Sequence, residues 1–339
     1  MSVCKRHVHS KDRKHLRPNI QIHMEEKGCS REEVLALLAG YRSRDVPHSR
    51  IFSSMCTVPH EIAVAAHALF VSTNLGDPGL YPGTAEIERR LIADLGDLLH
   101  GTGIGGYATS GGTESNNMAL IGAALANKRS GMHIITTAFE HPSVYEPMFF
   151  LEELGFRVTY LTPGPEGTVT VEALKEALSP DTILVSVMAV NNEVGAVQDI
   201  TALGAAVKAY NPAILFHVDA IQAYGKFRIY PKRQNIDMLS VSAHKLHGPK
   251  GCGFLYVKEK TKIKPILHGG GLFPGVIGGG QHPVAVLMMY IACGAPADKL
   301  FGQGIGAAFF GKHPQLQGKG LALFQGENTA FLLRVFFCE

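Results

Sequence analysis

Ile183-Leu184-Val185-Ser186-Val187-Met188-Ala189-Val190 is almost wholly apolar and rich in β-branched residues, and polar Asn191-Asn192-Glu193 closes it. A short run of this kind, with no polar alternation, predicts a strand buried on both faces, and such strands belong to parallel sheets covered by helices. The same rhythm extends outward in both directions. Upstream, His133–Thr137 and Arg157–Leu161 read as strands, with helical stretches over Ser143–Leu154 and Val171–Leu178. Downstream come a helix over Thr201–Tyr210 and strands over Ile214–Val218, Met238–Ser242 and Gly253–Val257. Strand, helix, strand in this order predicts an α/β fold with a mainly parallel sheet covered by helices. Further upstream, Ser30-Arg31-Glu32-Glu33 reads as a capping box opening a helix through about Tyr41, with Val34, Leu35, Leu37 and Leu38 along one face. Two more helices are predicted, over Glu61–Ser72 and Thr84–Leu99, separated by the Gly- and Pro-punctuated loop Asn74–Gly79.

The totals bound what such a chain can be. With 339 residues, 46% hydrophobic and 18% charged, the chain is long enough for one large domain or a large and a small one. A net charge of +3 does not argue for nucleic acid or an anionic membrane as partner. No apolar run has the length of a bilayer span, and the start lacks the layout of a secretion signal, so a cytoplasmic protein is expected. The six cysteines, Cys4, Cys29, Cys56, Cys252, Cys293 and Cys338, form no C-x-x-C pair. That argues against a disulfide framework and a structural zinc, and no metal site is expected. Residues 1–23, crowded with Lys, Arg and His, read as a basic disordered tail.

Ligands in open α/β sheets sit beyond the carboxyl ends of the strands, and the chemically informative residues fall there. Ser242-Ala243-His244-Lys245 follows one strand end and Asp219 another, with Gln222 three residues on. Ser110-Gly111-Gly112-Thr113-Glu114 opens a helical stretch, Ser115–Ala126. Glu140-His141-Pro142 and Asn191-Asn192-Glu193 close two further strands. Taken singly, Lys245 would pass as a surface cation, Asp219 as a cap, the glycine pair as a turn and His141 as a loop histidine. Together they meet the requirements of pyridoxal 5'-phosphate (PLP): a lysine amine to hold the aldehyde as a Schiff base, a carboxylate to keep the pyridine nitrogen protonated, a glycine-lined helix start for the phosphate and an imidazole to move protons.

These segments, with Val190-Asn191-Asn192-Glu193-Val194-Gly195, His217-Val218-Asp219-Ala220-Ile221-Gln222 and Ser242–Gly251, resemble the cysteine desulfurases of the class V branch of fold-type I PLP enzymes, over about Tyr107 to Gly271. The resemblance implies a fold-type I PLP-dependent transferase converting L-cysteine to L-alanine with sulfur passed to an acceptor or scaffold protein, as in iron–sulfur cluster assembly. It implies that Lys245 carries the cofactor and that His141 stacks on its ring and acts as acid and base. Asp219 would pair with the pyridine nitrogen and Gln222 with the phenolic oxygen. Gly112, Thr113, Ser242 and His244 would hold the phosphate, and Asn192 would contact cofactor and substrate carboxylate. It further implies a homodimer acting on a small amino acid.

The implied division is a PLP-binding large domain over 24–271 and a truncated or atypical segment over 272–339, that is, an incomplete C-terminal small domain. Where the desulfurases carry an Arg-Ser-Gly-Thr element after the glycine run Gly269-Gly270-Gly271, this chain reads Ile277-Gly278-Gly279-Gly280. Their nucleophilic cysteine loop and carboxylate-binding arginine have no counterpart in motif, so impaired activity is expected. Ser53–His60, Thr73–Leu80 and Leu98-Leu99-His100 resemble instead the archaeal tyrosine/aspartate group II decarboxylases. An amino-acid decarboxylase and a non-catalytic PLP-fold remnant are the two alternatives.

Overall fold

The structure, a computed structural model, describes residues 29–51, 55–73, 79–99 and 105–268. The basic tail, residues 272–339, the Gly269–Gly271 run, the Ile277–Gly280 element, most of the Asn74–Gly79 loop and Cys4, Cys293 and Cys338 lie outside them.

The chain divides into two compact units, Met1–Arg50 and Ile51–Glu339. In the first, α1 (Arg31–Arg42) starts at the expected capping box: Ser30 Oγ accepts from Glu33 N–H, and the Glu33 carboxylate accepts from Ser30 N–H. Its apolar residues Val34, Leu35, Leu37 and Leu38 are all exposed.

In the second unit a seven-stranded sheet has the order β1-β7-β6-β5-β4-β2-β3. The strands are β1 (Gly105–Thr109), β2 (His133–Thr137), β3 (Arg157–Leu161), β4 (Thr182–Met188), β5 (Leu215–Asp219), β6 (Met238–Ser242) and β7 (Gly253–Val257). Strands β3, β2, β4, β5 and β6 pair in parallel, and β7 runs antiparallel between β6 and β1. Reversal at both sides of β7 leaves β1 pointing the same way as β6. The carboxyl ends of β1, β2, β4, β5 and β6 therefore share one edge.

Alternation along the buried strands feeds two cores. Ile134, Leu184, Met238 and Leu255 pack with Met118 and Leu120 of α4 (Gly112–Asn127) and Met148 and Leu151 of α5 (Pro142–Glu153). Their strand neighbours Ile135, Val185, Leu239 and Phe254 face the other way, with Leu174 of α6 (Val171–Ala177), Leu203 and Val207 of α7 (Ile200–Tyr210), Ala63 and Ala66 of α2 (Glu61–Phe70) and Leu91 and Leu95 of α3 (Pro82–Leu98). Each fully buried Leu or Ile is worth about 1.5–3 kcal/mol of transfer free energy. That is why the central strands of a sheet with helices on both faces are mostly apolar, and why the buried polar residues Ser186, His217 and Ser240 pair with one another.

Three expectations need correction. The strand β1 was not expected, because two glycines weaken Gly105-Gly106-Tyr107-Ala108-Thr109; pairing with β7 supplies the order its own residues lack. The helix predicted from Ser115 begins at Gly112, so Gly112 and Thr113 lie inside its first turn. Asp219 is the last residue of β5 rather than the residue after it.

Candidate active site

Five strand ends build the site. At the end of β1, Ser110 and Gly111 turn the chain into α4. Gly111 adopts φ +146°, a conformation that favours glycine, and caps the helix with no side chain. A Cβ on Gly112 would lie 2.1 Å from Ile221 Cδ1, so the missing side chain lets the helix start pack against the turn after Asp219. Across β7, Gly253 pairs with both Thr109 and Ser242 and joins this glycine turn to the lysine turn. A cleft of about 410 Å³ opens there, lined among others by Cys56, Gly112, Thr113, Ser242, His244 and Lys250. An uncapped start of a long helix, hydroxyls and a lysine around one cleft are the donor set of an anion site.

Ser242, fully buried, pairs through Oγ with His244 Nδ1 at 2.7 Å. Burial, with the charges of Lys245 and Lys250, lowers the His244 pKa to about 4, so the ring is neutral near pH 7.

Asp219 is 1% exposed. Its Oδ2 accepts from Asn116 Nδ2 at 2.8 Å and its Oδ1 from Ile221 N–H at 3.0 Å. Burial pushes its pKa up, against those two hydrogen bonds and the positive charges of His141 and Lys245. The buried Asn116 Oδ1 has no hydrogen-bond partner. A buried carboxylate that burial drives toward neutrality gains most from a cation placed beside it. A protonated pyridine nitrogen is such a cation, so the residues fit PLP at this end as the cleft does at the phosphate end.

His141 caps α5, its Nδ1 accepting from Ser143 N–H at 3.0 Å and pairing with Ser143 Oγ at 2.8 Å. Asn116 Nδ2 also donates to Ser143 Oγ at 2.9 Å, which links the orientation of His141 to Asp219. Lys245 ends a short 3-10 turn, Ala243–Lys245, and its Nζ donates to the Met55 carbonyl at 2.8 Å. Burial and then the Lys226 charge lower its pKa, opposed by Cys56, Asp219 and Glu193. This raises the fraction of neutral amine, the form able to attack an aldehyde.

The structure thus brings Gly112, Thr113, Ser242 and His244 to one cleft, and Asp219, His141 and Lys245 within electrostatic reach of one another. Gln222 is 7% exposed, and its Oε1 accepts from Lys226 Nζ at 3.3 Å. Asn192 Nδ2 donates to Glu193 Oε1 at 2.6 Å, on a turn held by Asn191, whose Oδ1 accepts from Glu193 and Val194 N–H. Cys252 is buried and its thiol pushed up to about 12, an inert core thiol. Sequence reasoning gave no role of their own to Asn116, Glu140 and Cys56. The segment Ser53–His60 drew notice only through its resemblance to the decarboxylases.

The aminotransferase class-V family model matches residues 107–277. The cysteine desulfurase IscS of Dictyoglomus turgidum is 51% identical over 162 residues, 48% of this chain and 41% of its own length. A probable L-tyrosine/L-aspartate decarboxylase of Methanocorpusculum labreanum is 40% identical over 252 residues, 71% of this chain and 67% of its own. Among solved structures, SspA in complex with cysteine superposes with a TM-score of 0.67 at 32% identity, covering 72% of each chain. The chain spans about two-fifths of the length of the desulfurase relatives it matches.

Proposed function

The chain belongs to the class-V aminotransferase family, and from that premise we propose that it binds PLP through Lys245 and acts as a cysteine desulfurase. Its sheet and helices are those of the fold-type I PLP enzymes, whose class-V members use this cofactor. The observation that carries the reading is the meeting of a buried carboxylate, a lysine of lowered pKa and an uncapped helix start at one sheet edge.

When bound, PLP supplies an electron sink for the substrate Cα. The chain's residues do the rest. Asp219 would sit beside the pyridine nitrogen and hold a proton there. Gln222 would donate to the phenolic oxygen, and Thr113, Ser242, His244 and the backbone at Gly112 would hold the phosphate. His141 would stack on the ring, with Nε2 the nitrogen left to move protons, because Nδ1 is engaged by Ser143. The amine of Lys245 would be the base for a proton on the substrate Cα, and Asn192 would orient the substrate carboxylate. Homodimeric assembly, a cytoplasmic setting and a protein sulfur acceptor belong to the same reading.

A second reading rests on one observation: the decarboxylase relative matches 71% of this chain, against 48% for the D. turgidum desulfurase. Purified protein loaded with PLP and given cysteine with a dithiol reductant, which reduces the released sulfur, should form alanine and sulfide, and Lys245→Ala should abolish both. Carbon dioxide from tyrosine or aspartate without sulfide from cysteine selects the decarboxylase. An unperturbed cofactor spectrum with every amino acid rejects both.

A further inference from the structure

Lys245 stands in an awkward piece of backbone. Its 3-10 turn is three residues long, and two residues later His247 adopts φ +57°, a left-handed conformation that is unfavourable for a residue other than glycine. Such a conformation persists only where surrounding contacts impose it. Those contacts come from far away in the chain. Thr57, 7% exposed, meets the lysine turn on both sides. Its N–H and its hydroxyl both donate to the His244 carbonyl, at 2.8 and 3.0 Å. The same hydroxyl accepts from His247 N–H at 2.7 Å. His60 N–H donates to the His247 carbonyl at 2.9 Å, so the segment is stitched to the lysine turn at both ends. Between these contacts, the Met55 carbonyl takes the lysine Nζ, and Met55 and Cys56 form part of the cleft wall.

We propose that Thr57 is a positioning residue for Lys245: its hydroxyl bridges the backbone on both sides of the lysine, while the Met55 carbonyl holds the amine at the cleft until an aldehyde takes it. The hydroxyl is needed in both roles at once, as donor and as acceptor. Serine can replace it; valine and alanine cannot. The clasp itself is a matter of hydrogen bonds within this chain. Only its consequence for cofactor capture rests on the PLP reading.

The test compares the wild type with Thr57→Val, Thr57→Ala and Thr57→Ser. Acylation of Lys245 by an amine-reactive ester, followed by peptide mass spectrometry across pH, reads the lysine without any cofactor. Removing a bridging hydroxyl that serves two buried partners should change the acylation rate at fixed pH by roughly threefold or more and raise the PLP concentration for half-saturation roughly tenfold. Thr57→Ser should restore both. Whichever aliphatic variant stays folded carries the test. Aliphatic variants matching the wild type in acylation, or a serine variant as impaired as valine, would overturn the proposal. In the wild type, slow hydrogen exchange at the His247 amide is expected, and rapid exchange there overturns the clasp with no variant required. Failure of the wild type to take up PLP, with the acylation differences intact, would sink the cofactor reading and leave the clasp standing.

Discussion

Glu140 carries a carboxyl group where almost no water reaches it. It is 5% exposed; Oε1 accepts from Thr137 Oγ1 at 2.6 Å and from Met188 N–H at 2.9 Å, while Oε2 has no partner. Burial pushes its pKa up to about 8, and the nearby Asp219 charge adds to the shift. In the unfolded chain it titrates near 4.5. Between these values the unfolded chain has released a proton that the folded chain keeps, so the group's contribution to stability is present below about pH 4.5 and is lost as pH rises toward 8. Glu140→Gln cannot ionise. Between about pH 5 and 8 its urea-unfolding free energy, relative to the wild type, should climb by up to about 1.4 kcal/mol per pH unit. A difference that stays flat with pH would mean that Glu140 is ionised in the folded protein. Lys245, Asp219 and His141 were legible in sequence because the chemistry dictates both residue type and place, at strand ends. Glu140 stands beside His141 in the same motif, yet its bond to Met188 spans 48 residues, and that of Asn116 to Asp219 spans 103. Nothing local signals such a partner.

At the scale of elements, β7 decides whether the phosphate end and the lysine end of the site meet. A Cβ on Gly253 would lie 2.5 Å from the Val241 carbonyl oxygen and 2.8 Å from Gly111 Cα, both backbone atoms that cannot step aside. Gly253→Ala should therefore push β1 and β6 apart at the edge where the cleft opens. Overpacking of this kind costs about 1–3 kcal/mol, and thermal melting of the variant should reveal it. Affinity for PLP should fall as well, because Gly111 is part of the strained contact. An alanine variant with unchanged melting temperature and PLP affinity would show that the edge has slack. The strands β2, β3, β6 and β7 are readable to the residue from the sequence, and β4 and β5 to within two residues at either end. The strand β1 was not, since two of its five residues are glycine and its order comes from a partner about 150 residues away. The capping box of α1 was equally readable because its bonds are local.

Across the whole molecule, buried titratable groups of opposite tendency oppose one another. His217 is fully buried between Ser186 and Ser240, each at 2.9 Å, and burial alone lowers its pKa to about 3. His133 is held likewise by Thr182 and Thr159, with its pKa lowered to about 4 by burial and then by Arg157. Both rings are neutral in the folded chain and charged in the unfolded chain below about pH 6.5, so stability falls as pH falls through that range. Glu140 and Asp219 lean the other way, their raised pKa values making stability fall as pH rises. Between about pH 4.5 and 6.5 the two tendencies offset, and a broad plateau results. Removing one member should tilt it. His217→Gln abolishes one histidine contribution, so between about pH 4 and 6 its stability relative to the wild type should decline with rising pH by up to about 1.4 kcal/mol per unit, whereas Glu140→Gln tilts the plateau the opposite way. Urea titrations of the two variants at several pH values measure both slopes. Slopes of the same sign would refute the opposition. PLP should act on the same balance from the ligand side: a cation beside Asp219 holds that carboxylate ionised, so the stabilisation by PLP should exceed that of an Asp219→Asn variant most clearly above the pKa of the free aspartate.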